Sequence, residues 1–387
     1  MEKGTGRLRI CLISSQIAAW GKIGGFGTAT RALGAALARR GHEVSAVVPR
    51  RSRFGQRAVE ELDGITVYGR SVRESFAAGD IFREIGADIY HSQEPSLATW
   101  WARKVVPNAA HVVTCRDPRG RREHIQEMRY SDFRRRLIYP ATWYYEASRR
   151  VHESVRLADA VFCPAPCIVP RAQRLYGLSE PPEFVPSPVD LPRADPQKSP
   201  TPQMLFVGRW DPRKRIERFF ALAEEFPDVR FVAVGHAHEP RYDRSLRKRY
   251  GGLANVEMPG FLPRFGAGGL YEQYEKSWVL VNTSVREGMP YTFLEAGAFG
   301  CALLSEIDPD GFARQFGHCV ERGDYAGGLR RLIADDRWRS LGHAAASHVA
   351  FHFGEETSLR AHTTRYAQVR ERAQRERESA QSKISAI

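Results

Sequence analysis

Arg286-Glu-Gly-Met-Pro-Tyr-Thr-Phe-Leu-Glu295-Ala is the stretch on which the reading of this chain turns. Glu287 sits in a Gly/Pro loop, and Glu295 follows eight positions later in the first turns of an apolar helix. The first amides of a helix have no intrahelical partner, so a helix start is a ready anion site. A carboxylate on each side of it supplies acceptors for sugar hydroxyls. Two Glu at this spacing also occur on solvated helix starts, so the flanks must separate the readings. Upstream, Trp278-Val-Leu-Val-Asn-Thr-Ser284 is a short apolar strand with a polar end. Downstream, Ala296-Gly-Ala-Phe-Gly-Cys-Ala-Leu-Leu-Ser305 is a small-residue helix, a Gly stop and a second strand. Strand, loop, helix, strand is the layout in which ligands bind outside the carboxyl ends of parallel strands. The combination suits a nucleotide-sugar, with its diphosphate on the helix end, its ribose diol on one Glu and its donor sugar on the other.

The same alternation extends outward in both directions. Residues 8–14, 43–48, 65–68, 89–91, 111–115 and 160–163 read as strands. Residues 28–40, 75–85 and 151–157 read as helices, and a Gly-rich loop covers 21–27. A Pro-dense run over 181–202 can continue neither a helix nor a central strand and reads as a linker, 191–203. Beyond it the alternation restarts with strands at 204–207, 229–234 and 256–258 and helices at 215–226 and 242–250. The pattern predicts two doubly wound α/β domains with a cleft between them, over 1–190 and 204–350. The polar segment 351–387 is expected to be a helix and tail that packs back on the first domain.

Size and composition agree. A chain of 387 residues exceeds one ordinary core. No apolar run is long enough for a membrane-spanning helix, and the first residues lack the apolar stretch of a signal peptide. Six scattered Cys fit reduced thiols, and Cys163 and Cys167 read as structural because no second Cys/His pair completes a zinc site. A cytoplasmic chain is expected. The net charge of +13 points to anionic partners, and no motif supports nucleic acid. Between Arg116 and Arg150 stand ten Arg against five acids, interleaved with Tyr130, Phe133, Tyr139, Trp143, Tyr144 and Tyr145. Two readings stand there side by side: a solvated helical hairpin with snorkelling Arg, or a surface for an acceptor or an anionic membrane.

Two loops carry further chemistry. Gly24-Gly25-Phe26-Gly27 occupies the first strand-to-helix crossing, where glycines let amides approach a phosphate. It lacks the spacing of a dinucleotide fingerprint, and the phosphate reading is preferred to a plain turn because of its place. Phe206-Val-Gly-Arg209-Trp-Asp-Pro-Arg-Lys214 is the same device at the start of the second domain. Arg209 can fork onto a diphosphate and Lys214 adds a point charge. Asp308-Pro-Asp310 has the letters of a metal motif, but Pro-Asp-Gly is a turn signal, so no metal site is expected. Arg209, Lys214 and the helix end then carry the charge of the leaving diphosphate, each charged hydrogen bond contributing roughly 1.5–3 kcal/mol.

The Gly24-Gly25 loop, the Gly-Arg209-x4-Lys214 element and Glu287-x7-Glu295, in this order, resemble the family 4 retaining glycosyltransferases with the GT-B fold. Arg39-Arg-Gly-His-Glu-Val44 and Asp88-Ile-Tyr-His91 are similar to that family's first domain. The resemblance implies sugar transfer from a nucleotide-diphosphate sugar to a glycan, lipid-linked or small-molecule acceptor. It implies a front-face mechanism in which the departing phosphate oxygen helps deprotonate the acceptor, with neither cofactor nor metal. Glu295 is then expected at the ribose hydroxyls, Glu287 at the donor sugar, and Arg209 and Lys214 at the diphosphate. Gly288, Met289, Tyr291 and Thr292 are expected to face phosphate and sugar through their amides, and Leu262 to meet the base. Enzymes of this kind usually carry a His after the strand at 111–115, and this chain has Arg116. Either Arg116 takes over an electrostatic role or the donor pocket is remodelled. His91 ends a strand, where a lone His is ordinarily structural; it is kept as a catalytic candidate, and Glu94 and Asp117 as candidates for an acceptor hydroxyl. Competing functions are a nucleotide-sugar epimerase of the same fold and a non-catalytic glycan- or membrane-binding protein.

Overall fold

The computed structural model describes residues 6–20, 24–50, 56–70, 78–131, 133–264 and 268–385. Its contacts divide the chain into two compact units. One comprises Met1–Gly120, Ala141–Pro188 and Glu355–Ile387, the other Arg121–Pro140 and Val189–Gly354.

In chain order the first stretch runs β1 (Arg9–Ile13), α1 (Gly25–Arg39), β2 (Glu43–Pro49), β3 (Val59–Leu62), β4 (Ile65–Arg70), α2 (Ala78–Ile85), β5 (Ile89–Ser92), α3 (Leu97–Val105) and β6 (Ala110–Thr114). Then follow α4 (Arg121–Arg129), α5 (Phe133–Glu146), α6 (Arg149–Arg156), β7 (Ala160–Cys163), α7 (Val169–Tyr176) and β8 (Glu183–Phe184). The strands form a sheet in the order β3-β4-β2-β1-β5-β6-β7-β8, parallel throughout except for β3 against β4. β1 beyond Arg9, β5 and β6 are buried on both faces, as parallel strands under helices must be. β3 and β4 are joined by Asp63-Gly64, both at positive φ (52° and 79°), the conformation a two-residue hairpin requires. The sequence pattern gives 28–40 and 75–85 as helices; the first starts three residues earlier, at Gly25. Positions 21–23 and 75–77, on which parts of those expectations fall, lie outside the described residues.

The second unit holds β9 (Gln203–Val207), α8 (Ile216–Glu225), β10 (Arg230–Val234), α9 (Pro240–Tyr250), β11 (Val256–Gly260), α10 (Leu270–Lys276), β12 (Val279–Asn282), α11 (Tyr291–Ala298) and β13 (Ala302–Ser305). α12 (Phe312–Gln315), β14 (Gly317–Cys319), α13 (Tyr325–Ile333) and α14 (Arg337–Phe353) complete it. Its sheet is parallel in the order β11-β10-β9-β12-β13-β14. The winding reverses between β9 and β12, so the loops leaving those two strands meet at the switch point of the sheet, the favoured place for a ligand. α14 seats α11 from behind: Phe293, Ala296, Ala345, Val349 and Phe353 share one buried cluster. A Cβ at Gly342 of α14 would stand 2.2 Å from the carbonyl oxygen of Gly300, so only glycine permits this approach.

Two segments depart from the continuous domains drawn from the sequence. Residues 121–140 belong with the second unit although the chain on both sides belongs with the first. The Pro-rich residues 191–203 are part of the second unit and are pinned to it. Lys198 Nζ donates to the carbonyl oxygens of Ser277 (2.7 Å), Phe299 (2.7 Å) and Tyr274 (3.2 Å), a cation on carbonyls at helix ends, two of which also accept from Cys301 Sγ. The final helix, α15 (Glu355–Ser385), lies in the first unit, where Leu359, Tyr366 and Val369 enter the core beside Ile89, Val112 and Phe162.

Candidate functional site

The loops after β9 and β12 are laced together by main-chain and side-chain bonds. The Val285 amide donates to the Arg213 carbonyl (3.0 Å), and the Thr283 hydroxyl donates to the Lys214 carbonyl. Arg215, at φ 47°, turns its guanidinium onto the carbonyls of Thr283 (2.6 Å) and Ser284 (3.2 Å) and onto Glu306. A non-glycine residue in this conformation is uncommon, and the three partners hold it there. The outcome is a fixed meeting of Lys214 with Glu287: the ammonium pairs with Glu287 Oε1, which also accepts from Ser284 Oγ at 2.9 Å. Both side chains are about a quarter exposed, Lys214 27% and Glu287 22%, so the pair is supported yet open to a ligand.

α11 begins beside this pair. Its cap residue is Pro290, no side chain caps it, and its first turn contains no acid. The helix end therefore presents its amide charge without an internal anion to neutralise it. Gly288 is buried, while Met289 and Tyr291 lie half-buried against the cluster around Phe293. Leu262 is partly buried against the same cluster. Arg209 is half-buried at the end of β9.

Glu295 is placed differently from Glu287. It is 3% exposed, and its carboxylate is held by Arg264 and by the Tyr274 hydroxyl at 3.1 Å. Burial pushes the Tyr274 hydroxyl far above its ordinary range, which keeps it a donor. The Arg264 guanidinium also receives the faces of Tyr271 (5.6 Å) and Tyr291 (5.9 Å), and Tyr271 passes its proton bond on to Asp190 at 2.7 Å. The resemblance puts Glu295 at the ribose hydroxyls; in the structure its carboxylate is enclosed, with Arg264 as its main partner.

The candidates of the first unit fall into two groups. Gly24 caps α1 and Gly25 begins it, again with no capping side chain and no acid in the first turn. Close by, Glu94 accepts from the Ser15 amide and from Ser14 Oγ at 3.4 Å. Asp117 pairs with Arg171 at 3.6 Å. His91 and Arg116 lie inside. His91 is fully buried, and its two ring nitrogens are taken up by Tyr366 Oη (2.6 Å) and Thr114 Oγ1 (2.7 Å). Burial holds its pKa well below the ordinary value, so it is a neutral link between α15 and the sheet and offers no nitrogen to a substrate. Arg116 is 7% exposed and donates to Ser187 Oγ (2.7 Å) and to the Gln93 side-chain oxygen.

The Glycosyltransferase Family 4 profile matches residues 23–193, and the Glycosyl transferases group 1 profile matches residues 190–324. The chain belongs to the family 4 glycosyltransferases. Solved structures agree with the GT-B fold of this glycosyltransferase. The sucrose-phosphate synthase of Thermosynechococcus elongatus superposes with a TM-score of 0.72 at 19% identity, covering 94% of this chain and 99% of that one. The Anabaena protein HepE, crystallised with UDP and glucose, superposes with a TM-score of 0.66 at 14% identity, covering 93% and 100%. A granule-bound starch synthase 2 of Solanum tuberosum is 37% identical over 100 residues, which is 22% of this chain and 13% of the relative.

Several residues around the candidate site have no expectation in the sequence reading: Arg264 and Tyr274 on Glu295, Ser284 on Glu287, and Arg215 on the loop carbonyls. Arg215 directly follows Lys214, and a cation repeated so closely was a usable signal. Arg264 stands far from Glu295 in sequence, and nothing local links them. Asp308 caps the start of α12, its Oδ1 accepting from the amides of Ala313 (2.8 Å) and Arg314 (3.1 Å). Among the described residues no helix is long and apolar enough to cross a membrane, and no cluster of three or more His, Cys, Asp or Glu could hold a metal ion.

Proposed function

We propose that this glycosyltransferase moves a hexose from a nucleotide-diphosphate sugar to a glycan, lipid-linked or small-molecule acceptor, with retention of anomeric configuration and without a metal ion. The observation that carries the reading is the Lys214–Glu287 pair beside the uncapped start of α11. Lys214, Arg209 and the amides of Gly288, Met289, Tyr291 and Thr292 take the charge that develops on the leaving diphosphate. Such fixed donors are worth most where water is excluded and no reorganisation is needed. Glu287 exchanges Lys214 for a hydroxyl of the donor sugar, and Leu262 lies against the base. Glu295 takes the ribose hydroxyls once Arg264 yields. The Anabaena relative crystallised with UDP and glucose agrees with a donor of this class. Gly24 and Gly25 are assigned to the turn into α1, where Glu94 on the Ser15 amide opposes a second anion. Arg116 acts on the reaction only through its charge, since its guanidinium is closed in by Gln93 and Ser187. His91 takes no part. A cytoplasmic enzyme of envelope polysaccharide assembly in peripheral contact with an anionic membrane fits the first half of α5, where Leu137 and Ile138 are exposed near Arg136 and Arg129.

The test is a thermal-shift panel of nucleotides and nucleotide-sugars followed by product analysis with and without acceptors. Binding to the native state alone raises the melting temperature by mass action. One nucleoside diphosphate and its sugar should stabilise the chain, and sugar should leave the donor faster when an acceptor is present. An epimerised donor formed without acceptor, or stabilisation with no consumption of any donor, would overturn the proposal.

A further inference from the structure

The lacing of the two loops has a third member that comes from elsewhere in the chain. Glu127, on α4, is 5% exposed and stands in the second unit. Its Oε2 accepts from Arg213 Nη1 (2.7 Å) and Tyr139 Oη (2.7 Å), and its Oε1 accepts from Arg286 Nη1 (2.7 Å). Arg213 immediately precedes Lys214, and Arg286 immediately precedes Glu287. One carboxylate thus holds the neighbour of each member of the Lys214–Glu287 pair. The arrangement is specific in charge. Arg213 is also gripped by both oxygens of Asp211 (3.1 and 3.2 Å), so two cations face two carboxylates with little water between them. Gln126, the preceding residue, adds a bond from its side-chain amide to the Val285 carbonyl (3.2 Å). Lys214 meets this cluster through its own backbone, its amide donating to the Asp211 carbonyl (2.7 Å), and the loops keep their own bonds through Thr283, Val285 and Arg215.

We infer that Glu127 is a positioning residue for sugar transfer, setting through Arg213 and Arg286 the distance between Lys214 and Glu287. This rests on the reading of Lys214 and Glu287 as the diphosphate and donor-sugar residues. A carboxylate that accepts from two guanidiniums on separate loops fixes both loop tips against one point. Its loss lets each tip relax toward solvent, and small misplacements of a charged group are expensive in rate.

The experiment is steady-state kinetics of the full chain with Glu127→Gln, alone and in a Lys214→Ala background. Gln keeps the shape and one oxygen acceptor and removes the charge. The single variant should lose about tenfold or more in kcat with a melting temperature close to that of the parent. In the Lys214→Ala background the same change should produce no further loss, because the residue it positions is gone. Unchanged kcat in Glu127→Gln, or an equal loss in both backgrounds, would overturn the inference and leave the donor-site reading standing. Full turnover in Lys214→Ala would overturn both. Should Glu127→Gln fail to fold, Arg286→Met reads the same tether while leaving Glu127 paired with Arg213. It should lower kcat severalfold alone and not at all beside Lys214→Ala; an equal loss in both would again reject the tether.

Discussion

The crossing after β1 in the first unit and the crossing after β9 in the second stand at matching points of two parallel sheets, and they carry opposite chemistry. The first leads from Ser14 and Ser15, both bound to Glu94, to the uncapped start of α1 at Gly24. The second runs through Arg209, Arg213, Lys214 and Arg215 before α8. A carboxylate at the strand end discourages a second anion, whereas a run of guanidinium and ammonium groups invites one. The contrast continues inward. The first unit buries neutral His91, held by Tyr366 and Thr114 and packed near His362, and sets its buried cation, Arg116, on the neutral side chains of Gln93 and Ser187. The second buries paired charges, Glu127 with Arg213 and Arg286 and Glu295 with Arg264. Topology supplies the same location twice, and the side chains decide what each can do.

The sharpest way to break this comparison is Lys214→Ala. Removing one fixed donor from a developing charge ordinarily lowers kcat by about 10²–10³. A variant with parental turnover would remove the second crossing's claim to the diphosphate. Acid stability separates the units next. Burial lowers the pKa of His111 and of His362 to about 4. In the unfolded chain both protonate near their ordinary value of about 6.5. Between those limits the unfolded chain takes up protons that the folded unit cannot, so stability is complete above about pH 6.5 and falls as pH drops toward 4. The full loss is about 3 kcal/mol for each His. Hydrogen exchange at pH 5 should therefore show β5 and β6 opening more readily than at pH 7, with β9 and β12 changing less. Equal sensitivity in the two sheets would refute the contrast.

Two smaller effects sharpen it further. Glu295→Ala should weaken nucleotide binding by about tenfold or more, the order expected for a lost charged hydrogen bond. Titration calorimetry with the preferred nucleoside diphosphate checks this, and unaltered affinity would mean that Arg264 never yields the carboxylate. Gly24→Ala should have the mildest consequence. Its Cβ would meet only the end of the Gln16 side chain, at 2.8 Å, which can rotate aside. A change in stability within about 1 kcal/mol and turnover within a few-fold are expected. A large drop in turnover there would restore the first crossing as an anion site.

The features legible in the sequence are those that depend on neighbours along the chain. Apolar runs separated by helical periods gave both sheets, and the Lys214 and Glu287 motifs lie on the two loops that leave adjacent strands β9 and β12. Asp63-Gly64 is a hairpin signal for β3, yet Val59-Glu-Glu-Leu62 has too few apolar residues to look like a strand. β8 lies within the Pro-rich run, where a two-residue edge strand leaves no period. α5 continues through Pro140, against the usual rule for helix interiors. The enclosure of Glu295 and of His91 was out of reach. Each depends on a partner distant in sequence, Arg264 in one case and Tyr366 in the other, and burial of a polar group is recorded only by that partner.

Residues 121–140 leave the first unit, supply α4 to the second and return. The two halves of this glycosyltransferase are therefore not interchangeable cassettes. A fragment cut at residue 189 would carry Arg213 and Arg286 but leave behind the acid that anchors them. Chimeras built to swap acceptor specificity face the same accounting: the graft boundary that respects the chemistry is not contiguous in the gene, and the short helix must travel with its downstream loops.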